Sequence, residues 1–292
     1  MNGPALPAFR ATGLEGPILP SLPPGLPYLL AALGGEGMGS QELALELQRF
    51  PPIAGRLIAL ANCAWVSPPR PIVGLSDACA MLGLRVVRGV SIALALSNTF
   101  NASRCPGFDA RRFWSSALLT AEGCSLLARK ARGLADPNTM ATAGLLHNLG
   151  LLWMVDQWPA EASAAFQMRD SRGDIGLIAA LRLTTGTDYC EQGGVLGDAW
   201  KLPAELTAVM RHHCTSAYQG PHMAVAANVG AVASVVSALC GNDDTVSAES
   251  ESMFPGLAPA ASKALFDELV RQRKPIVELA KALIGNDPVP GA

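Results

Sequence analysis

Charge is scarce in this chain. Asp, Glu, Lys and Arg make up only 16% of its 292 residues and the formal net charge is -2, which excludes a generalised electrostatic grip on nucleic acid or on an anionic membrane surface. A partner is therefore expected to be held by shape. Paired cysteine motifs are missing as well. The seven cysteines, Cys63, Cys79, Cys105, Cys124, Cys190, Cys214 and Cys240, are odd in number and contain no Cys-x-x-Cys spacing. They read as small buried hydrophobes of a reducing compartment rather than as a disulfide framework. Near the N-terminus Arg10 stands alone among prolines and glycines, with no basic leader and no uninterrupted apolar core. No signal peptide is expected, and the expected address is the cytoplasm. No stretch alternates apolar and polar residues with period two, and no tandem repeat recurs at a fixed spacing, which leaves no basis for a sheet or a repeat array.

What the chain does have is apolar bulk, half of its residues, enough for a sizeable core. The spacing of those residues is helical. Leu43, Leu47 and Phe50 follow Ser40 at i, i+4 and i+7, and Ile53, Leu57 and Leu60 repeat the interval after Pro51-Pro52. Ser76 is placed to cap a helix through about Arg88, and the apolar stretch from Val86 to Phe100 is expected to continue it with a break around Gly89. Asp109 is expected to cap a long helix to about Ala131. Asp136-Pro137-Asn138 opens a helix carrying His147, Pro203 starts one carrying His212 and His213, and residues 261–283 form a more charged amphipathic helix. The expected fold class is all-α. Its expected division is a loose Pro/Gly-rich arm over 1–20, an N-terminal helical subdomain over 21–105, a second helical subdomain over 106–285 and a tail over 286–292. Met223 to Cys240 is nearly uncharged and about the length of a bilayer span. It is built from Ala, Gly, Ser and Val around Asn228 and lacks flanking cationic anchors, so a helix buried in a helical protein is expected and no membrane contact.

Chemistry concentrates at Gly144-Leu145-Leu146-His147-Asn148-Leu149-Gly150. Further motifs stand in a fixed order around it: Pro23-Pro24, Phe50-Pro51-Pro52 to Leu60-Ala61-Asn62, Pro71-Ile72 to Leu82-Gly83-Leu84-Arg85, Phe113-Trp114, Trp200-Lys201-Leu202-Pro203 and His212-His213. Together, over roughly residues 22–235, this chain resembles the HDOD family of the HD phosphohydrolase superfamily. The resemblance implies an N-terminal helical bundle followed by an HD-like helical core, in a bacterial signalling or regulatory protein. In catalytically active relatives of that superfamily, histidines and aspartates converge on one or two metals that activate a water for attack on phosphorus.

Residue by residue, the implied ligand set is depleted. Asn148 stands where the signature carries aspartate, and a neutral amide is a poor ligand for a hard cation. Ser116, with Ser115 beside it, occupies the position of the first histidine, Tyr189 that of a later one, and the final aspartate falls on Ala231. The chain has only four histidines, His147, His212, His213 and His222, so none lies upstream of His147 or between it and His212. Ser116, His147, Asn148, Tyr189, His212 and His213 are accordingly read as vestigial metal-site positions. No catalytic residue, metal or cofactor is expected; if a metal binds, His147, His212 and His213 are its ligands. His212 and His213 are rotated by about 100° from one another on a helix, which works against that set. Cys214 beside His213 suggests a thiol-imidazole pair, but sequence neighbours on a helix point in different directions, so a buried cysteine is expected.

Three functions follow in order. The first is a non-catalytic scaffold that binds other signalling proteins. The alternative is a residual metal-dependent phosphohydrolase acting on a nucleotide or cyclic dinucleotide, which requires carboxylates such as Asp188, Glu191 or Asp198 to join the histidines. The third is a module binding a small anionic ligand through arginines and histidines.

Overall fold

The computed structural model describes residues 18–22, 25–34, 38–63, 66–97, 99–131, 134–241 and 253–284. Among these no strand occurs. Fourteen α-helices follow one another, in line with the helical periodicity of the sequence. Pro23-Pro24 and the tail over 286–292 lie outside the described residues.

Contacts group the chain into two compact units, and neither is a continuous stretch. The first contains Thr99–Asp109, Leu146–Ala227 and the described residues up to Ser21. The second contains the described residues of Leu22–Asn98, Ala110–Leu145 and those from Asn228 onward. This differs from a single division near residue 105. The reason is packing: α6 (Ala110–Lys130) lies against α14 (Pro259–Ile284) and touches α5 (Leu84–Ser97), so the long helix after the expected boundary joins the helices before it.

In the second unit, α1 (Leu26–Gly34), α2 (Ser40–Leu47), α3 (Pro51–Ala61), α4 (Leu75–Leu82) and α5 pack on one another. Pro51 and Pro52 start α3, where the missing N–H groups would be unpaired in any case. The break expected at Gly89 falls at Gly83 instead. Gly83 has φ +81, and the chain bends by 111° between α4 and α5. Gly89 stays helical, and its bare Cα faces Leu118 of α6. The first residue of α4 is Leu75, so Gly74 rather than Ser76 stands at the cap. Arg56 of α3 donates to the Ala282 and Leu283 carbonyls at the end of α14, supplying a cation where the helix dipole is negative. Asp136 Oδ1 accepts from the amides of Asn138 and Thr139 at 2.9 and 3.0 Å and so opens α7 (Pro137–Leu146). Helix α13 (Met223–Cys240) is the one described helix long and apolar enough to cross a membrane. It buries a single stripe, Val225, Val229, Val232 and Val236 with neighbours, and exposes Ala227, Ser234 and Ser237.

The first unit is built from α8 (Leu149–Gln157), α9 (Pro159–Ser171), α10 (Leu177–Thr185), α11 (Tyr189–Ala199) and α12 (Ala204–His212). α11 packs against α8 on one side and α12 on the other. Residues 18–20, expected in a loose arm, are tied to this unit. Ile18 donates to Gln157 Oε1 at 3.0 Å and its carbonyl accepts from Trp153, while the Pro20 carbonyl accepts from Trp200 at 2.8 Å. Both indoles are buried and satisfy their N–H groups through this segment.

Glycines set the helix spacing. A Cβ at Gly150 would lie 2.1 Å from the Tyr189 carbonyl oxygen and 2.4 Å from the Gly193 nitrogen, both backbone atoms. A Cβ at Gly197 would lie 2.8 Å from Thr207 Oγ1 of α12. Gly150→Ala is expected to destabilise the protein by about 3 kcal/mol, because overpacking against backbone cannot relax by side-chain rotation. Gly55→Ala, exposed in α3 with open space around its Cα, is expected to stabilise by about 0.5 to 1 kcal/mol. Urea unfolding of the two variants checks both signs.

Candidate functional site

His147 and Asn148 form a two-residue break between α7 and α8, not part of a helix body as their sequence setting suggests. The Leu151 amide donates to the Asn148 carbonyl at 2.9 Å, closing a turn that launches α8. His147 is 1% exposed. Its ring meets that of His213 edge to face, with centroids 5.0 Å apart and planes at 87°.

His213 closes the C-terminus of α12 and is also buried. Its Nδ1 lies 3.0 Å from the Val209 carbonyl oxygen. A carbonyl only accepts, so Nδ1 carries the hydrogen of this contact. Nε2 lies 3.9 Å from Cys190 Sγ in the first turn of α11. Tyr189, the head of the same helix, sits with its ring 6.0 Å from His213 and its hydroxyl 3.4 Å from Cys214 Sγ. Burial, then the neighbouring Cys214 and Cys190 sulfurs, keep the Tyr189 phenol well above its usual range.

Cys190, His213 and Cys214 bring one ligand atom each to within 4.8 Å of one another. Among the described residues they are the one such cluster of three or more His, Cys, Asp or Glu side chains. Cys214 is exposed, where the sequence suggests burial. α12 ends at His212, so Cys214 lies in the turn beyond it and is freed from the helical rotation that separates sequence neighbours. Cys190 donates to Cys214, which holds Cys214 below the usual thiol range and Cys190 above it.

The third histidine of the expected set goes elsewhere. His212 stacks flat on Tyr218 at 3.8 Å and lines a groove with Lys201, Arg211 and His222. Burial, and after it the Arg211 charge, hold His212 below the usual imidazole range. His147, His212 and His213 thus do not gather three ring nitrogens. Ser116 lies half-buried on α6 in the second unit, beside Ser115, whose buried Oγ has no hydrogen-bond partner. Ala231 lies on α13.

The carboxylates that a phosphohydrolase reading requires are engaged. Asp188 is 1% exposed and caps α11: Oδ1 accepts from the Cys190 and Glu191 amides at 2.8 and 3.0 Å, and Oδ2 takes Arg182 Nε at 2.8 Å and a terminal nitrogen at 2.6 Å. Glu191 accepts from Thr187 Oγ1 at 2.7 Å, and Asp198 pairs with Arg211 at 2.6 Å. The donors around His147 and His213 are therefore imidazole, sulfur, phenol and the Asn148 amide. They do not fit the oxygen-rich metal centre of a phosphohydrolase, which needs anionic oxygen.

The chain matches the HDOD domain family over residues 19–216. The crystal structure of a candidate signal transduction protein from Marinobacter aquaeolei VT8 superposes with a TM-score of 0.76 at 20% identity, covering 94% of this chain and 63% of that one. The chain thus spans less than two thirds of that protein. An HDOD domain protein with unknown function from Geobacter sulfurreducens gives a TM-score of 0.68 at 22% identity, covering 91% of this chain and 93% of that one. A candidate phosphohydrolase from Shewanella amazonensis SB2B gives 0.66 at 22%, covering 91% and 95%. At these identities the likeness is one of fold. No curated protein sequence matches the chain.

Asp188→Ala is expected to lower stability by about 2 to 3 kcal/mol, since it strips the α11 cap and leaves Arg182 without its buried partner. Urea unfolding reads it. Iodoacetamide is expected to label Cys214 first and the fully buried Cys79 and Cys124 last. Burial pushes the Cys79 thiol up to about 11 and Cys124 above the usual thiol range. Labelling of Cys214 should persist below pH ~8.5, where an ordinary thiol loses reactivity. Mass spectrometry of partially labelled protein checks the order and the pH profile.

Proposed function

The chain belongs to the HDOD family, and on that premise we propose that it is a non-catalytic regulatory protein that works by binding other signalling proteins. One observation carries this reading: His147 and His213, the histidines nearest the HD position, pack against each other, His213 lies beside sulfur and phenol, and Asp188, Glu191 and Asp198 are each committed to other partners. A hydrolytic metal centre must hold its ion through anionic oxygen and leave a position for water. Here the anionic oxygens cap a helix, accept from a threonine hydroxyl or pair with arginine. Seven free thiols suit a reducing cytoplasm.

A second reading, residual phosphohydrolase activity on a nucleotide or cyclic dinucleotide, is favoured by one detail. Asn148 Oδ1 is buried without a hydrogen-bond partner, and an amide oxygen is a neutral ligand atom. A single neutral oxygen is weak support for a hard cation beside imidazole, so the regulatory reading is preferred.

The two separate cleanly in one experiment. The full chain is incubated with nucleoside phosphates and cyclic dinucleotides in the presence of Mg2+, Mn2+ or Fe2+, alongside His147→Ala. Phosphate or phosphomonoester release is expected to match the protein-free background for both chains. His147→Ala is expected to lose about 2 kcal/mol of stability, because it removes a buried ring from the core. Turnover by the wild type that a chelator and His147→Ala both abolish would establish the hydrolase instead.

A further inference from the structure

We propose that Cys190, His213 and Cys214 form a binding site for a thiophilic divalent transition metal, zinc being the ion that fits, and that the bound ion clamps the head of α11 to the end of α12. The set differs from the oxygen-rich centre considered above. It shares one histidine with it and draws its other ligands from sulfur.

Geometry carries the inference. The three ligand atoms lie within 4.8 Å of one another, with Cys190 Sγ 3.9 Å from His213 Nε2. Tetrahedral zinc, with bonds of about 2.3 Å to sulfur and 2.0 Å to nitrogen, sets such atoms roughly 3.5 to 3.8 Å apart. The side chains need to close by about an ångström or less. The Val209 carbonyl engages Nδ1, which leaves Nε2 as the ring nitrogen available to an ion, with Cys190 Sγ beside the ring at 3.9 and 4.0 Å from its two nitrogens. Orienting hydrogen bonds of this kind support ligands at metal centres.

Both sulfurs are supported in the same way. Tyr189 stands within hydrogen-bond distance of Cys214 Sγ, and the Cys214 amide donates to the Cys190 sulfur. Cys190 lies in the first turn of α11, whose position is fixed through its backbone amide by the buried Asp188. Cys214 is exposed, which gives the ion a path in and leaves a fourth position for water. Two sulfurs and an imidazole select zinc, cobalt or copper over magnesium and manganese. The binding step balances: two metal–sulfur bonds and one metal–nitrogen bond form, each sulfur binds as its thiolate, and every thiol proton displaced by the ion goes to solvent.

The test uses the full chain, reduced, stripped of metal and titrated with Co2+ under anaerobic conditions in the presence of a phosphine reductant. One equivalent is expected to bind with the near-ultraviolet charge-transfer band of cobalt-thiolate bonds and the visible bands of a tetrahedral ion, and Zn2+ is expected to displace it. Cys214→Ser, at an exposed position that leaves the core intact, should weaken binding by more than roughly a hundredfold, beyond the loss of a merely supporting group. Zinc should also protect Cys190 and Cys214 of the wild type from iodoacetamide and raise its melting temperature through mass action. That protection needs no variant to fold. Absence of the charge-transfer band in the reduced wild type overturns the proposal. So does a band that survives Cys214→Ser with unchanged affinity, or zinc protection that falls on cysteines other than this pair.

Discussion

The first unit depends on a place where two helix backbones touch. At Gly150 the chain of α8 runs so close to the Tyr189 carbonyl and the Gly193 amide that no side chain fits between them. α12 closes on the other face of α11, where Gly193 and Gly197 meet Met210 and Thr207. With α11 held between two such contacts, its first turn carries Tyr189 and Cys190 to the ring of His213. The break before α8 places His147 against the same ring. The residues of the site come from three distant stretches of sequence, and the bare glycine surfaces set the distances among them.

Electrostatics then decides what chemistry the site can hold. The carboxylate nearest in sequence to Tyr189 and Cys190, that of Asp188, is buried and accepts four hydrogen bonds, two from the first amides of α11 and two from Arg182. A buried carboxylate so committed stabilises the helix start and has no free oxygen lone pair of good geometry to lend to a cation. The charge therefore goes into architecture. What faces His213 is polarizable, built of donors other than carboxylate: a second imidazole, a phenol and two cysteine sulfurs.

Much of this was legible in the sequence, for reasons that can be named. Helix positions followed from apolar spacing and from Pro and Asp at helix starts, because those signals are local; α3, α6, α7 and α14 begin close to where Pro51, Asp109, Pro137 and residue 261 suggested. The family resemblance rested on motifs separated by many residues and proved sound over residues 19–216. The failures have one character. The sequence places His147 on a helix because nothing local marks the turn after Leu146, beyond which Gly150 lies against α11. It places the break at Gly89 because Gly83 and Gly89 are both glycines in apolar helix, and only the positive φ at Gly83 separates them. It places Cys214 in the core because the helical pattern carries α12 past His212, where the chain turns. The Cys190, His213 and Cys214 cluster was invisible because 23 residues separate Cys190 from His213, and no short motif spans that distance.

The same donor set explains how the site can exist without depending on an ion. A pocket that gathers several carboxylates around an empty centre suffers repulsion and desolvation, so its fold leans on the metal that relieves them. Here Asn148 adds no charge, and His213 lies buried with Nδ1 on the Val209 carbonyl. The contact between the two sulfurs lowers the Cys214 thiol and raises the Cys190 thiol. The packing of α8, α11 and α12 is therefore complete before any ion arrives. Metal binding at such a place would add a constraint to an already folded unit instead of creating the fold.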